Sequence, residues 1–259
     1  GAHRVAKGHA LRRRMSSRTQ TSDEKFPVEA IRGAGYGAIW HGQKSYNGVA
    51  ILSRGADPIE RRRGLPGDPD DTHRRYFEAD VNGLIVGCLY LPNGNPAPGP
   101  KFDYKLGWFD RLISYGQDLL KAGSPTVLCG DYNVVPTPID AVAPRRWIGD
   151  AVYFPESPLA YAEMLEDGWI DAVRHIHPEK RVYTYWNHAY GGGYDKSSGL
   201  RMDHLLVSPC CRPGFAMPGW MLRRDRGRSR ATMRQHGSIS IEHRQTTTRR
   251  DDALTKVLV

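Results

Sequence analysis

The sequence predicts an α/β fold with packed sheets inside and helices outside, and three observations carry that expectation. Apolar runs of strand length recur from Thr21 onward, separated by Gly, Pro, Asn and Asp turns. Other stretches space their apolar residues as an amphipathic helix does. The two patterns are interleaved with long loops rather than segregated into halves, which indicates a mixed α/β architecture. At 259 residues the chain has length for one large domain or two small ones, and a single domain spanning 1–259 is the simpler count.

In chain order, Val49 to Leu52, Leu84 to Leu91, Thr126 to Cys129 and Leu205 to Val207 are the clearest strands, and their nearly unbroken apolar character suggests cover on both faces. Pro92 to Pro100 reads as a connecting loop. Leu106, Phe109, Leu112, Ile113 and Leu120 fall near helical spacing and predict a helix over Tyr104 to Leu120. Ser157 as N-cap, Pro158 at the first helical position and Gly168 as a stop predict a second helix over Leu159 to Asp167. There are no internal repeats.

Composition excludes several classes and misleads about one. No apolar run approaches the roughly 20 residues needed to cross a bilayer, and no signal-like segment is visible, so a soluble, cytoplasmic protein with no membrane partner is expected. Cys88, Cys129, Cys210 and Cys211 have neither zinc-site nor disulfide spacing and read as thiols in a reducing compartment. The net charge of +9 invites a nucleic-acid reading, but residues 21–211 hold 20 Lys and Arg against 24 Asp and Glu, while the ends hold the other 17 against 4. The basicity belongs to the ends.

Four constellations could carry chemistry. Gly130-Asp131-Tyr132-Asn133 ends an apolar strand with a carboxylate and an amide two residues apart, which on an extended chain face one side and could hold water beside a phosphate. An ordinary Asx-turn explains the same residues about equally well. Arg201-Met202-Asp203-His204 opens another strand with charges at alternate positions, for which a surface salt bridge is the ordinary explanation. Tyr90-Leu91-Pro92-Asn93-Gly94 and Lys44-Ser45-Tyr46-Asn47-Gly48 are weak singly.

Their order changes the odds. Together with Arg61-Arg62-Arg63-Gly64-Leu65-Pro66-Gly67-Asp68, His73-Arg74-Arg75, Gly168-Trp169-Ile170-Asp171, Tyr185-Trp186 and Gly199-Leu200-Arg201-Met202-Asp203, these segments resemble bacterial exonuclease III, of the endonuclease/exonuclease/phosphatase group, over residues 21–209. The resemblance implies a four-layer α/β sandwich, two packed mixed β-sheets flanked by helices. It implies a metal-dependent DNA-repair phosphodiesterase with 3′ exonuclease and abasic-site endonuclease activity. Asp131 matches the carboxylate that handles the proton of the attacking water or leaving oxygen, Asn133 the amide that orients the phosphate, Tyr90 the tyrosine near the scissile phosphate, and Asp203 the acid supporting the catalytic histidine. Lys44, Asn47, Arg75, Trp186 and Arg201 match the substrate-binding region. Asp131 and Asn133 are the candidate metal ligands, and oxygen donors favour Mg²⁺ or Mn²⁺. The implied partners are double-stranded DNA and abasic-site DNA, bound by a monomer.

Three family elements are absent as written: an Asn on the first strand, the Glu of a Leu-Gln-Glu strand, and a Ser-Asp-His near the C-terminus. Codon degeneracy offers a reason. Read one nucleotide forward, permitted codons for Arg12 to Gln20 spell Asp-Val-Val-Cys-Leu-Gln-Glu-Leu-Lys, with the glutamate arising from the Arg18 codon. Read two forward, those for Arg226 to Gly237 spell Trp-Glu-Lys-Pro-Ser-Asp-His-Ala-Pro-Thr-Trp, its Asp and His crossing Ala231 to Met233. Residues 1–20 and 210–259 are therefore expected to be out of frame, to lack coherent packing, to leave terminal strands missing or disordered, and to impair activity. The rival readings are a catalytically dead remnant and a same-fold phosphatase or phospholipase.

Overall fold

In the computed structural model the described residues are 23–43, 47–54, 57–186 and 199–211, with the backbone of 240–244 and 254–258. Strands β1 (Tyr36–His41), β2 (Val49–Arg54), β9 (Ser240–Arg244) and β10 (Leu254–Leu258) form one sheet in the order β1-β2-β10-β9, all neighbours antiparallel. The second sheet has the order β3-β4-β5-β6-β8-β7, built from β3 (Ile59–Arg63), β4 (Tyr76–Val81), β5 (Leu84–Tyr90), β6 (Thr126–Asp131), β7 (Ile170–Asp171) and β8 (Asp203–Val207). Within it only β5 and β6 run parallel, so they need a crossover, supplied by helix α2 (Pro100–Ala122).

Side-chain alternation makes the layers. Val49 and Ile51 of β2 pack against Phe77, Ala79, Val86, Cys88, Val127 and Cys129, which fuses the two sheets face to face. Ala50 and Leu52, pointing the other way, meet Phe26 and Ile31 from the region of helix α1 (Val28–Gly33). On the far side Tyr76, Leu89, Leu128 and Leu206 pack on Trp108, Phe109 and Leu112 of α2 and on Tyr161 and Met164 of helix α3 (Glu156–Glu166). The result is the expected four-layer sandwich, with its long apolar strands covered on both faces.

The differences have physical causes. Helix α2 begins at Pro100, four residues before the expected start, because proline suits the first helical turn; Gly123 then stops it at φ 71°. Helix α3 begins at Glu156, and Ser157 is not its cap: the Ser157 hydroxyl donates to the Ala151 carbonyl at 2.7 Å. Strands β1, β3 and β4 carried no readable signal. β1 is half-buried throughout, and β3 is exposed along its length, an edge strand whose arginines protect it from further pairing. A short helix α4 (Ala172–Ile176) follows β7.

Backbone pairing also departs from the expectation for 210–259. The β9 and β10 backbones form an antiparallel pair, and β10 lies against β2 at Val257–Ser53 and Leu258–Leu52. Any extended segment can satisfy the amides and carbonyls of an open strand edge, so such pairing does not depend on a particular side-chain text. Likewise Pro209–Cys211 forms a 3₁₀ turn with Cys211 buried, extending the packed body past 209. The expectation for 1–20 falls outside the described residues.

Candidate active site

The strand register places three of the predicted residues in one row. Tyr90 pairs with Asp131 in the parallel β5·β6 ladder, and Asp131 pairs with Asp203 in the antiparallel β6·β8 ladder. All three stand at the strand ends from which loops depart. Asp131 is 3% exposed and Asp203 5% exposed, so both carboxylates are largely withdrawn from bulk water.

Asn133 joins them by a turn and not by strand alternation. The chain leaves β6 at Asp131, and Asn133 adopts φ 48°, a left-handed conformation that asparagine tolerates better than most residues. Its backbone N–H donates to Asp131 Oδ1 at 2.8 Å, so the Asx-turn that competed with the catalytic reading is present in the same residues. The Asn133 amide is fixed at both ends: Nδ2 donates to the Leu91 carbonyl at 2.8 Å, and Oδ1 accepts from Asn93 Nδ2 at 3.1 Å. Gly130, at φ 139°, lets the β6 end approach β5, because a Cβ there would lie 1.9 Å from the Leu89 carbonyl oxygen.

The remaining candidates are distributed less uniformly. Arg75 lies over the Tyr90 ring at 5.1 Å and donates to the Tyr90 carbonyl at 3.2 Å, so it is attached to the site through Tyr90. Asn47, at φ 75°, donates to Gln43 Oε1 at 3.4 Å. Gln43 Oε1 also accepts from the Arg74 backbone N–H, and the Arg74 guanidinium binds both Asp23 and the Gly42 carbonyl, which anchors this loop. Lys44 lies outside the described residues. Trp186 stands edge-on to Tyr183 with ring centroids 6.4 Å apart. Its chain neighbour Tyr185, with Trp147 and Tyr153, packs against a cluster of Val135, Ala141, Val152, Leu200 and Met202.

Arg201 departs from its expected place at the substrate surface. It is 1% exposed; its Nε donates to Asp140 at 2.6 Å and its NH1 to Asp171 at 2.8 Å. Burial disfavours both carboxylates' charge, but Arg201 outweighs it and holds each below its usual value; the same pairing raises Arg201. Arg174 adds a second cation on Asp140, and the Tyr161 hydroxyl donates to Asp171 at 2.9 Å. Within this enclosure Arg201 ties loop 138–140 and β7 to the start of β8. Neither the surface salt bridge nor the substrate contact fits it. The motif spelled the charges but not their partners, which lie 61 and 30 residues away.

Lys105 was not singled out by sequence, because one lysine in an amphipathic helix usually faces water. It is fully buried, and Nζ donates to the carbonyls of Asn133, Ala151 and Asn93 at 2.7, 2.8 and 3.3 Å. Burial pulls it down to about 7, with Asp131 and Asp150 acting in the opposite direction.

For a divalent cation the site offers hard oxygen donors, the Asp131 carboxylate and the Asn133 amide oxygen. Among the described residues no cluster of three or more His, Cys, Asp or Glu could hold a metal. The donor set fits a cation of the Mg²⁺ type, which keeps several waters and uses one or two carboxylates together with substrate phosphate.

Comparison with known proteins agrees with this fold. The chain is 32% identical over 200 residues to exodeoxyribonuclease III of Haemophilus influenzae, covering 73% of this chain and 74% of that protein. Among solved structures, an AP endonuclease from Archaeoglobus fulgidus superposes with a TM-score of 0.70 at 28% identity, covering 93% of this chain and 86% of the other. A 3′-5′ exonuclease from Neisseria meningitidis gives the same TM-score, identity and coverage. Residues 9–222 match the Endonuclease/Exonuclease/phosphatase family, whose nucleases depend on divalent metal, and the chain belongs to that family.

Proposed function

We propose that this chain is a DNA-repair nuclease that hydrolyses phosphodiester bonds, removing 3′ nucleotides from duplex DNA and cutting beside abasic sites, with Mg²⁺ or Mn²⁺ as its cation. The observation that carries the reading is the row Tyr90, Asp131 and Asp203 across three adjacent strands, with Asn133 fixed beside it. Relatives named exodeoxyribonuclease III and AP endonuclease support the substrate class.

A phosphodiester resists attack because its oxygens repel an electron-rich nucleophile. In the proposed reaction a water oxygen bonds to phosphorus while a phosphorus–oxygen ester bond breaks. Asp131 takes the water's proton or delivers one to the departing oxygen. An amide nitrogen carries two hydrogens; one of Asn133's goes to Leu91, and the other serves a phosphate oxygen. Tyr90, backed by Arg75, borders the phosphate, and Asp203 shares the row from the other side. A cation bound at Asp131 and Asn133 would supply charge neutralisation at the phosphate. Lys44, Asn47 and Trp186 would contact the flanking DNA. The four cysteines are free thiols, in keeping with a reducing cytoplasm, and among the described residues no helix is long and apolar enough to cross a membrane.

A second reading is favoured by the sequence itself: activity is impaired because the segments encoding the missing Glu and His are read out of frame at 12–20 and 226–237. Incubation of this chain with an abasic-site duplex and Mg²⁺ separates the readings. Cleavage abolished by Asp131→Asn supports the nuclease and removes the remnant reading. Cleavage seen only after both frames are restored supports impairment, and none in either form defeats the nuclease proposal. Nucleotide sequence at the two junctions decides the frame question directly.

A further inference from the structure

Lys105 is a charged group buried in the helix-covered core, and no step of the proposed chemistry uses it. An ammonium carries three N–H donors and no acceptor. The three carbonyls it meets match that valence, whereas a neutral amine would turn a lone pair toward one of them. Those carbonyls come from three separate segments: the loop after β5, the turn after β6, and the stretch around Ala151.

Each segment is tied to the site or to its neighbours. Asn93 donates to the Asn133 amide, Asn95 bridges to Asp150 Oδ1 at 3.0 Å and accepts from the Ala151 N–H at 2.9 Å, and Val135 N–H donates to Val152 O at 2.8 Å. Gly94 closes over the lysine stem, where a Cβ would stand 2.7 Å from Lys105 Cδ. Helix α2, which carries Lys105, is anchored in the sheet through Trp108, Phe109 and Leu112. The ammonium therefore ties the backbones of all three segments to one rigid helix, at the points where their carbonyls turn inward beside the site.

We propose that Lys105 is a positioning residue for phosphodiester hydrolysis, its ammonium holding the Asn93, Asn133 and Ala151 carbonyls so that Asn133 and Asp131 keep their places beside Tyr90. The claim about hydrolysis rests on the nuclease reading; the claim about the loops does not.

The test is Lys105→Met in this full chain, which keeps the unbranched stem and removes the donors. Amide hydrogen exchange should accelerate on the order of tenfold or more at Leu91, Asn133 and Val135, with β1 and β2 unchanged, because only the local opening is affected. On abasic duplex kcat should fall on the order of 10- to 100-fold with KM within about twofold, as misplacement of reacting groups predicts. Lys105→Arg, which keeps the charge but not the three-point geometry, should show an intermediate kcat and serves if the methionine variant does not fold. Uniform acceleration of exchange, unchanged exchange at the three amides, or a wild-type kcat in either folded variant overturns the proposal. If the parent chain releases no product, that failure bears on the nuclease reading, and the exchange pattern alone decides Lys105.

Discussion

Replacing His204 with leucine should flatten the chain's stability against mild acid. The His204 ring lies fully buried between Tyr161 and Tyr132, with centroids 4.6 and 5.4 Å away. Nε2 donates to the Val134 carbonyl at 2.9 Å, while Nδ1 meets no partner among the described residues. Burial is the main force lowering its pKa from 6.5 to about 4; Arg201 adds to it, and Asp171, Asp140 and the Val134 carbonyl oppose it. A lowered pKa means that the folded state favours the neutral ring, so the stabilisation is complete above 6.5 and is lost as pH falls toward 4. The whole interval corresponds to about 3 kcal/mol, and at pH ~5 about 2 kcal/mol is already gone. Asp140 and Asp171 are lowered from 3.8, so their own loss falls below that pH and stays outside this window.

The assay is urea unfolding of both proteins at several values between pH ~7.5 and ~5. His204→Leu leaves the Val134 carbonyl without its donor, a pH-independent cost of about 1–3 kcal/mol, so the difference at neutral pH is not diagnostic. The diagnostic is the slope. The parent should lose about 2 kcal/mol more than the variant across that range, and parallel pH profiles would refute the assignment of a buried neutral imidazole.

Three further outcomes follow from the same packing. Arg201→Met should destabilise the fold by about 3–5 kcal/mol in chemical denaturation, since Asp140 and Asp171 lose their shared cation inside the protein. Gly130→Ala should abolish soluble expression or lower the melting temperature sharply, because the new Cβ would sit 1.9 Å from the Leu89 carbonyl oxygen. Arg75→Met separates a phosphate contact from support of Tyr90. Stacked as it is on that ring, Arg75 should affect turnover while leaving the salt dependence of DNA affinity unchanged, and a slope reduced by about one would assign it to phosphate.

The candidates Tyr90, Asp131, Asn133 and Asp203 were legible through the order of motifs that resembles exonuclease III, each motif being weak alone; their alignment in one row was not. An apolar run closing on Gly-Asp-x-Asn, a tyrosine before Pro-Asn-Gly and an acid opening Leu-Leu-Val each mark a boundary between core and loop. Apolar runs likewise specified the cores of β2, β5, β6 and β8, which are covered on both faces. Strand β3, five exposed residues at an edge, leaves no such record.

Sequence by itself determined the mixed α/β class from apolar patterning and the family from the order of its short motifs, and the resemblance brought with it the sandwich and the candidates Tyr90, Asp131, Asn133 and Asp203. Only the tertiary structure decided that Arg201 is a buried tie and not a surface contact, that Asn133 reaches the site through a left-handed Asx-turn, and that Lys105 is a three-carbonyl anchor. In each of these the deciding partner is remote in sequence or the deciding quantity is a dihedral angle, and neither is written in the order of residue types.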